Sequence, residues 1–508
     1  MVKGESIFIE YFEPAAVSGQ GRFKISRLLH VYKEDGLQAL SPVEDNGRDF
    51  GDSTDGCHIN INCPEADFLS TEKNAVCRII MILEEGMGYC TGSLINNTNN
   101  DAKPYVMSAY HCQSEFTPMY DFYRFDFNYE GAACNDPATE PTFNSITGCS
   151  AIAGYADTDF QLFELSSNVP LNYQPYFLGW NRDLGYEPLG SNLIHHPAGD
   201  IKKFSREFSQ TRVFNNTITW TDNNLVTSPR SHFRATLDEG AFEGGSSGAP
   251  LVDNDGYFVG QLHGGTALCE EAIAFSGRFS ESWEGGGTPE TRLKDWLDPL
   301  GTSPVIQDGF DPASIAGQTV VVDGTITFES GMPFNGVTVN LVTEDASGQF
   351  IIEQSVETDV NGEYLFENVL TGGDYFISAE RSDCHKNGIT TFDLILISQH
   401  ILGIAEFESP EQFIKADVNG SGTITTFDII QTRQLILEQI AEFPSNLPYY
   451  FMNEDFVFAT GSSNIFDNPP NGNPFVVELL FLSADTTLPT LVALKVGDIN
   501  ASAAASCE

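Results

Sequence analysis

Eight of the ten cysteines in this chain fall between Cys57 and Cys269, and none belongs to a Cys-x-x-Cys pair. That spacing argues against a structural zinc site and for disulfides formed in an oxidising compartment. Over the same region, from Gly56 to about Phe310, short apolar runs are broken by Gly, Asn, Asp and Pro. A helical period emerges only at "ETRLKDWLDPL" (290–300), with Leu293, Trp296 and Leu297 on one side. Many short strands tied by covalent bridges predict a barrel or sandwich.

Charge removes some functions. The chain carries 25 basic against 71 acidic residues, a net of −46, which argues against nucleic-acid binding, since that needs a basic face. With 41% hydrophobic residues, 38 Phe and 17 Tyr, it folds rather than staying disordered. No run reaches the roughly 18 apolar residues of a membrane span. "MVKGESIFIEYFEP" lacks the apolar core of a signal peptide, and the reading is a secreted protein whose sequence begins after its export signal.

At 508 residues the chain exceeds one core. Beyond Asp311, "GTITFESGMPFNGVTVNLVTEDASGQF" and "SVETDVNGEYLFENVLTGGDYFISA" alternate at period two around Asn-Gly and Gly-Gly turns, predicting a β-sandwich over 311–380. "ITTFD" then occurs twice, at 389–393 and 424–428, each time leading into a helical pattern. This predicts two loop–helix units over 381–445. "DVNGSGTITTFD" places oxygen ligands for calcium at Asp417, Asn419, Ser421, the Thr423 carbonyl and Asp428, with Gly422 at the sharp turn. The first copy has Ser382, Cys384 and Lys386 at the corresponding early positions, so calcium is expected at the second loop only. These units resemble dockerin half-repeats, which implies a protein partner, and the sandwich resembles the regulatory-like β modules of secreted bacterial proteins. Residues 446–508 form a β-rich segment that reads as cut short.

"FEGGSSGAPLV" (242–252) sets two serines between glycines. A nucleophilic serine needs a base, and the base an orienting group. "PYVMSAYHCQ" offers His111 at the end of an apolar strand, and "GYADTDFQLFEL" offers Asp159 at the head of an alternating one. His195 and His196 in "IHHPAGD" have no further ligand at metal spacing nearby.

The segments "CHININCPE", "YCTGSLINNT", "VMSAYHC", "TDFQLFEL", "GWNRDLG", "IHHPAGDIKK", "GGSSGAPL", "GQLHGG" and "TRLKDWLDP", in this order, resemble chymotrypsin-fold serine proteases and, more closely, the bacterial lysyl endopeptidases. The resemblance covers roughly Cys57 to Phe310. It implies a double β-barrel protease over 56–310, with the site in the cleft between barrels, and 1–55 as the remnant of a propeptide. The whole is thus expected to be a mainly β, multidomain secreted zymogen. The resemblance makes Ser247 the nucleophile, His111 the base and Asp159 its orienting acid. The amides of Gly245 and Ser247 form the oxyanion hole, and no cofactor enters the chemistry. Ser246 stands where trypsin-like enzymes have the aspartate that pairs with a freed N-terminus, so a different maturation step is implied. The cysteine pattern carries over as Cys57–Cys269, Cys63–Cys134 and Cys90–Cys112, leaving Cys77 and Cys149 for an expected fourth bridge.

The strand around Gln261, Leu262, His263 and Gly264 is expected to pair with a peptide substrate and wall its first pocket. Ala274 stands where lysyl endopeptidases place a pocket aspartate, and Ala241 at trypsin's specificity position. Glu270 and Glu271 are the remaining candidates for a pocket charge. Cutting after lysine is the expectation; the alternatives are a non-basic pocket in the same fold, or a noncatalytic surface protein built on it.

Overall fold

In a computed structural model the described residues are 50, 53, 56–221, 224–267, 269, 272–344, 349–458, 474–479 and 481–504. The expected propeptide remnant therefore lies outside them, apart from Phe50 and Ser53. Alternation and β-branched residues produce two large, mainly antiparallel sheets in the first half of the chain. The first has seven strands, in the order Asn144–Thr147, Arg124–Phe127, Val76–Ile82, Met87–Leu94, Tyr105–Ala109, Phe160–Leu165 and Cys149–Tyr155. The second has ten strands, its centre running Lys203–Gln210, Leu189–His195, Pro250–Asp253, Phe258–Thr266, Ile273–Arg278 and His232–Thr236. A large apolar core fills the first sheet and reaches Trp180, Phe258, Phe279 and Leu297 of the second half. The anticipated helix near 290–300 shortens to Lys294–Leu297, with Leu293 and Leu297 buried.

Among the described residues the disulfides include Cys57–Cys269, Cys63–Cys134 and Cys90–Cys112. The fourth bridge is not formed: Cys77 and Cys149 are free and buried. Cys77 lies on Val76–Ile82 opposite Gly92 and Phe127, whereas Cys149 pairs with Leu165 at the far edge of the sheet. Their strands are not neighbours. Burial instead makes them small apolar residues, and it pushes the Cys149 thiol up to about 12.

One buried ion pair lies within the first sheet and reaches across to the loop after Leu189–His195. Arg78 donates through Nε and Nη2 to Asp126 Oδ2, at 3.1 and 2.8 Å, and through Nη1 to the Gly199 carbonyl at 2.7 Å. Its guanidinium lies 3.8 Å from the centre of the Tyr129 ring. Both charged side chains are almost wholly buried. Asp126→Ala would leave the guanidinium in the core without its carboxylate, an expected loss of about 3–5 kcal/mol, measurable as a lowered urea midpoint.

The second half of the chain corrects the expected domain limits. The sandwich of 311–380 is incomplete alone. Its five-stranded sheet joins Glu363–Leu370 and Thr319–Phe328 to Leu491–Lys495 and Tyr449–Asn453, with Thr486–Thr487 beside it. Its four-stranded sheet ends on Val477–Leu479, which pairs with Tyr375–Glu380. Phe451, Leu491 and Ala493 share one core with Val339, Phe366 and Ile377. The described strands of 446–508 therefore complete the sandwich, and the helical unit lies between its strands in the sequence. Its helices are Thr391–Ile401, Pro410–Ala416 and Thr426–Ile436. The repeated motif explains two of their starts: Thr390 with Asp393, and Thr425 with Asp428, form capping boxes. Among the described residues no helix is long and apolar enough to cross a membrane.

Candidate active site

His111 follows strand Tyr105–Ala109 in a single turn of 3-10 helix. Its ring lies between an acid and a hydroxyl. Nδ1–H donates to Asp159 Oδ2 at 2.8 Å, and Nε2 faces Ser247 Oγ at 2.9 Å. Asp159 is fully buried and left-handed, at φ +56. Its second oxygen accepts the His111 backbone amide at 2.8 Å, and its own carbonyl accepts the Tyr110 amide. Backbone strain of this kind persists where neighbours over-determine it, and here the chain around the histidine does so.

Ser247 sits on the turn after Glu243, and the glycines around it are required. Gly245 has φ +95, and a Cβ there would lie 2.8–2.9 Å from backbone atoms of His196, Ala198 and Gly199. Gly248 has φ +83, and its Cβ would lie 2.4 Å from Ser108 Oγ and the Thr91 carbonyl. Among the described residues neither the Gly245 amide nor the Ser247 amide donates to another group. Two bare amides beside a hydroxyl aimed at an imidazole can stabilise an oxyanion.

A second histidine backs the first. His263 stacks on His111 with ring centroids 5.0 Å apart, and Trp220 stacks on its other side at 3.4 Å. His263 Nδ1 is 3.6 Å from Asp159 Oδ2 and 2.9 Å from His232 Nε2. Ser231 Oγ spends its proton on the Ser228 carbonyl, so it accepts from His232 Nδ1–H. His232 Nε2 is then bare and takes the proton of His263 Nδ1. Burial holds both rings neutral, pushing His232 down to about 3 and His263 well below the ordinary range.

The expected substrate strand is only partly open. The Gln261 side chain is buried and donates to the Thr158 carbonyl at 2.7 Å, so it is turned away from any ligand. Leu262 is buried in an apolar cluster, and His263 is buried in the stack rather than standing at a pocket's edge. Gly264 lies beneath Trp220. Ala274 and Ala241 are both buried in the same apolar cluster as Phe242 and Leu262. Glu270 and Glu271 lie outside the described residues. Sequence reasoning missed Trp220, just after Ile218–Thr219, and His232, which opens strand His232–Thr236; neither belongs to a motif. In the pair His195–His196, both ring nitrogens of His195 face hydroxyls, and His196 Nδ1 faces the Asp200 carbonyl.

In the second loop Asp417 accepts the amides of Ser421 and Gly422, and Ser421 Oγ donates to the Thr423 carbonyl. Asn419 stands between them in the sequence, and Asp428 closes the loop as the helix cap. Asp428 Oδ1 is buried with no hydrogen-bond partner, and burial pushes this carboxyl above its ordinary value against the opposing hydrogen bonds of Thr425 and the Asn419 amide. The corresponding oxygen of Asp393 is occupied, because the Ile499 amide donates to it at 2.8 Å.

Known proteins resemble parts of this chain. A lysyl endopeptidase of Pseudomonas aeruginosa is 26% identical over 289 residues, 53% of this chain and 57% of that protein, so the chain spans little more than half its relative's length. Among solved structures, the thermostable serine protease AL20 from an extremophilic microorganism is 12% identical with a TM-score of 0.30, covering 46% of this chain and 100% of that one. The active form of the Rv3671c protease from M. tuberculosis is 15% identical with a TM-score of 0.30, covering 42% and 78%. Over residues 50–276 the chain matches the family model described as the lysyl endopeptidase C-terminal domain.

Proposed function

We propose that residues 56–310 are a serine endopeptidase of the chymotrypsin-like double-barrel type. The observation that carries the reading is His111 held between Asp159 and Ser247, beside the two bare amides of Gly245 and Ser247. Ser247 Oγ attacks the scissile carbonyl carbon while its proton passes to His111 Nε2. Asp159 holds Nδ1–H and balances the imidazolium; the two amides receive the oxyanion. His111 then protonates the leaving amine, and water repeats the sequence on the acyl-enzyme. The chain's three described disulfides support export to an oxidising compartment.

Cleavage after lysine is the first reading of specificity, supported by the likeness to a lysyl endopeptidase. A specific observation favours a second reading, a non-basic pocket: Ala241 and Ala274 bring no charge, and both lie in an apolar cluster. A cleavage profile on a mixed peptide library, with Ser247→Ala as blank, decides between them. Enrichment of lysine before the cut sustains the first reading and makes Glu270 and Glu271 the next variants. Enrichment of apolar residues sustains the second. No cleavage, with no labelling of Ser247 by a fluorophosphonate, would return the chain to the class of noncatalytic surface proteins.

The helical insertion is proposed to be a dockerin-like attachment unit that holds one structural calcium ion on Asp417, Asn419, Ser421, the Thr423 carbonyl and Asp428. The uncompensated Asp428 Oδ1 fits a cation, since a buried carboxylate oxygen without a partner is costly. In the first repeat the corresponding Asp393 oxygen already accepts the Ile499 amide. Calorimetry on the full chain is expected to give one calcium per chain, lost in Asp428→Asn; no binding heat would remove the assignment.

A further inference from the structure

Resting on that peptidase reading, we infer that the loop His195–Asp200 is a built-in brace that aims the oxyanion hole, with His195, Ala198 and Thr91 as its positioning residues. Three independent ties carry this.

The first runs through a single proton pattern. Ser205 Oγ gives its proton to the Ala241 carbonyl at 2.7 Å, so toward His195 Nε2, 3.1 Å away, it can only accept. His195 Nε2 is therefore the protonated nitrogen and Nδ1 is bare. Ser246 Oγ must donate to Nδ1, at 2.8 Å, and it accepts the Glu243 amide. Both ends of the turn 241–246 are thus closed onto one neutral, fully buried imidazole. Ser246 occupies the position before the nucleophile, and its anchor here is a histidine of the same sheet.

The second tie sets a direction. The Ala198 amide donates to the Gly244 carbonyl at 2.6 Å. In a planar trans peptide the N–H points opposite to the C=O. Holding the Gly244 carbonyl on Ala198 therefore turns the Gly245 N–H the other way, away from the brace. Ala198 adopts φ +54 and ψ 15 to present this amide, and Gly245 has no side chain to keep the two backbones apart.

The third tie crosses to the first sheet. Thr91 Oγ1 donates to the Gly245 carbonyl at 2.9 Å and accepts the His196 amide at 3.0 Å. The Thr91 amide donates to the Ser247 carbonyl at 2.8 Å. One threonine thereby fixes the Gly245–Ser246 and Ser247–Gly248 peptides, which flank the peptide carrying the Ser247 N–H, and links them to the brace. Arg78 supports the loop from behind through the Gly199 carbonyl.

The test compares Thr91→Val, which keeps the shape but not the hydroxyl, with Ser246→Ala and with Thr91→Ser, which restores the hydroxyl. Steady-state kinetics and the rate of fluorophosphonate labelling are read on each, with tryptophan fluorescence melts as a check of folding. Misaiming one donor is expected to lower kcat about 10–100-fold at nearly constant KM, with the labelling rate falling in parallel and Thr91→Ser recovering most of the loss. Wild-type kcat in both hydroxyl-less variants, or a loss that Thr91→Ser fails to recover, overturns the brace. Absence of labelling in the wild type would instead overturn the peptidase reading beneath it.

Discussion

Lowering the pH from about 7.5 to about 5.5 is expected to remove roughly 5 kcal/mol of stability from the protease-like half of the chain, before most carboxylates begin to titrate. The cause is four buried neutral imidazoles, His195, His196, His232 and His263, each at most a few per cent exposed. Burial is the first cause of the downward shift in all four; the neighbouring His58 adds to it for His195, Lys202 for His196 and His111 for His263. The folded chain refuses these protons and the unfolded chain takes them at about pH 6.5. Stability is therefore complete above that value and falls as pH drops below it, by up to about 1.4 kcal/mol per pH unit for each ring. Glu130 acts lower down: Lys202 and Lys73 hold it at about 2 against the cost of its burial, so its contribution is lost only below the ordinary carboxylate range. All four tryptophans (180, 220, 283 and 296) lie in the same half, so their fluorescence reports this unit alone. Urea melts on Ser247→Ala, chosen to prevent self-cleavage, should show the midpoint falling between the two pH values at constant slope. An unchanged midpoint would mean that these rings accept protons in the folded state, and the proton pattern assigned to His195 and His232 would be wrong.

What the sequence made readable was local. Glycines flanking Ser247 mark a turn that only small residues fit, and the structure gives the reason as backbone contacts with His196, Ala198 and Thr91. The repeated "ITTFD" marks two helix starts because a threonine three residues before an aspartate is a capping pair. What stayed hidden depends on which strands become neighbours. Alternation announces that 446–508 contains strands, yet it cannot reveal that Leu491–Lys495 lies parallel beside Thr319–Phe328 across an inserted helical unit. Counting cysteines pairs Cys77 with Cys149 by elimination, whereas strand order separates them. The stack of Trp220, His263 and His111 joins three segments distant in sequence. Gln261 belongs to the predicted substrate strand, but its side chain is taken up by the Thr158 carbonyl, a contact between segments far apart in sequence.

Ser247→Ala is expected to lower turnover on the order of a millionfold, and Asp159→Asn about ten-thousandfold, with peptide binding retained in both. The second figure follows from the acid's two contacts. Asp159 accepts the His111 backbone amide on one oxygen and His111 Nδ1–H on the other, both at 2.8 Å. Asparagine has one acceptor oxygen for these two donors. If that oxygen keeps the backbone amide, the side-chain NH2 faces Nδ1, and the ring must move its proton to Nε2. That nitrogen then has no lone pair for the Ser247 hydroxyl 2.9 Å away. If the oxygen keeps Nδ1–H instead, the NH2 opposes the His111 amide and the turn holding the ring opens. Either arrangement removes the base while Ser247 and the bare amides of Gly245 and Ser247 stay in place, so residual activity should rise with pH as the hydroxyl ionises without help. Turnover of Asp159→Asn within about tenfold of wild type, with Ser247→Ala still inactive, would leave the serine as nucleophile but assign the orientation of His111 to the His263–Trp220 stack.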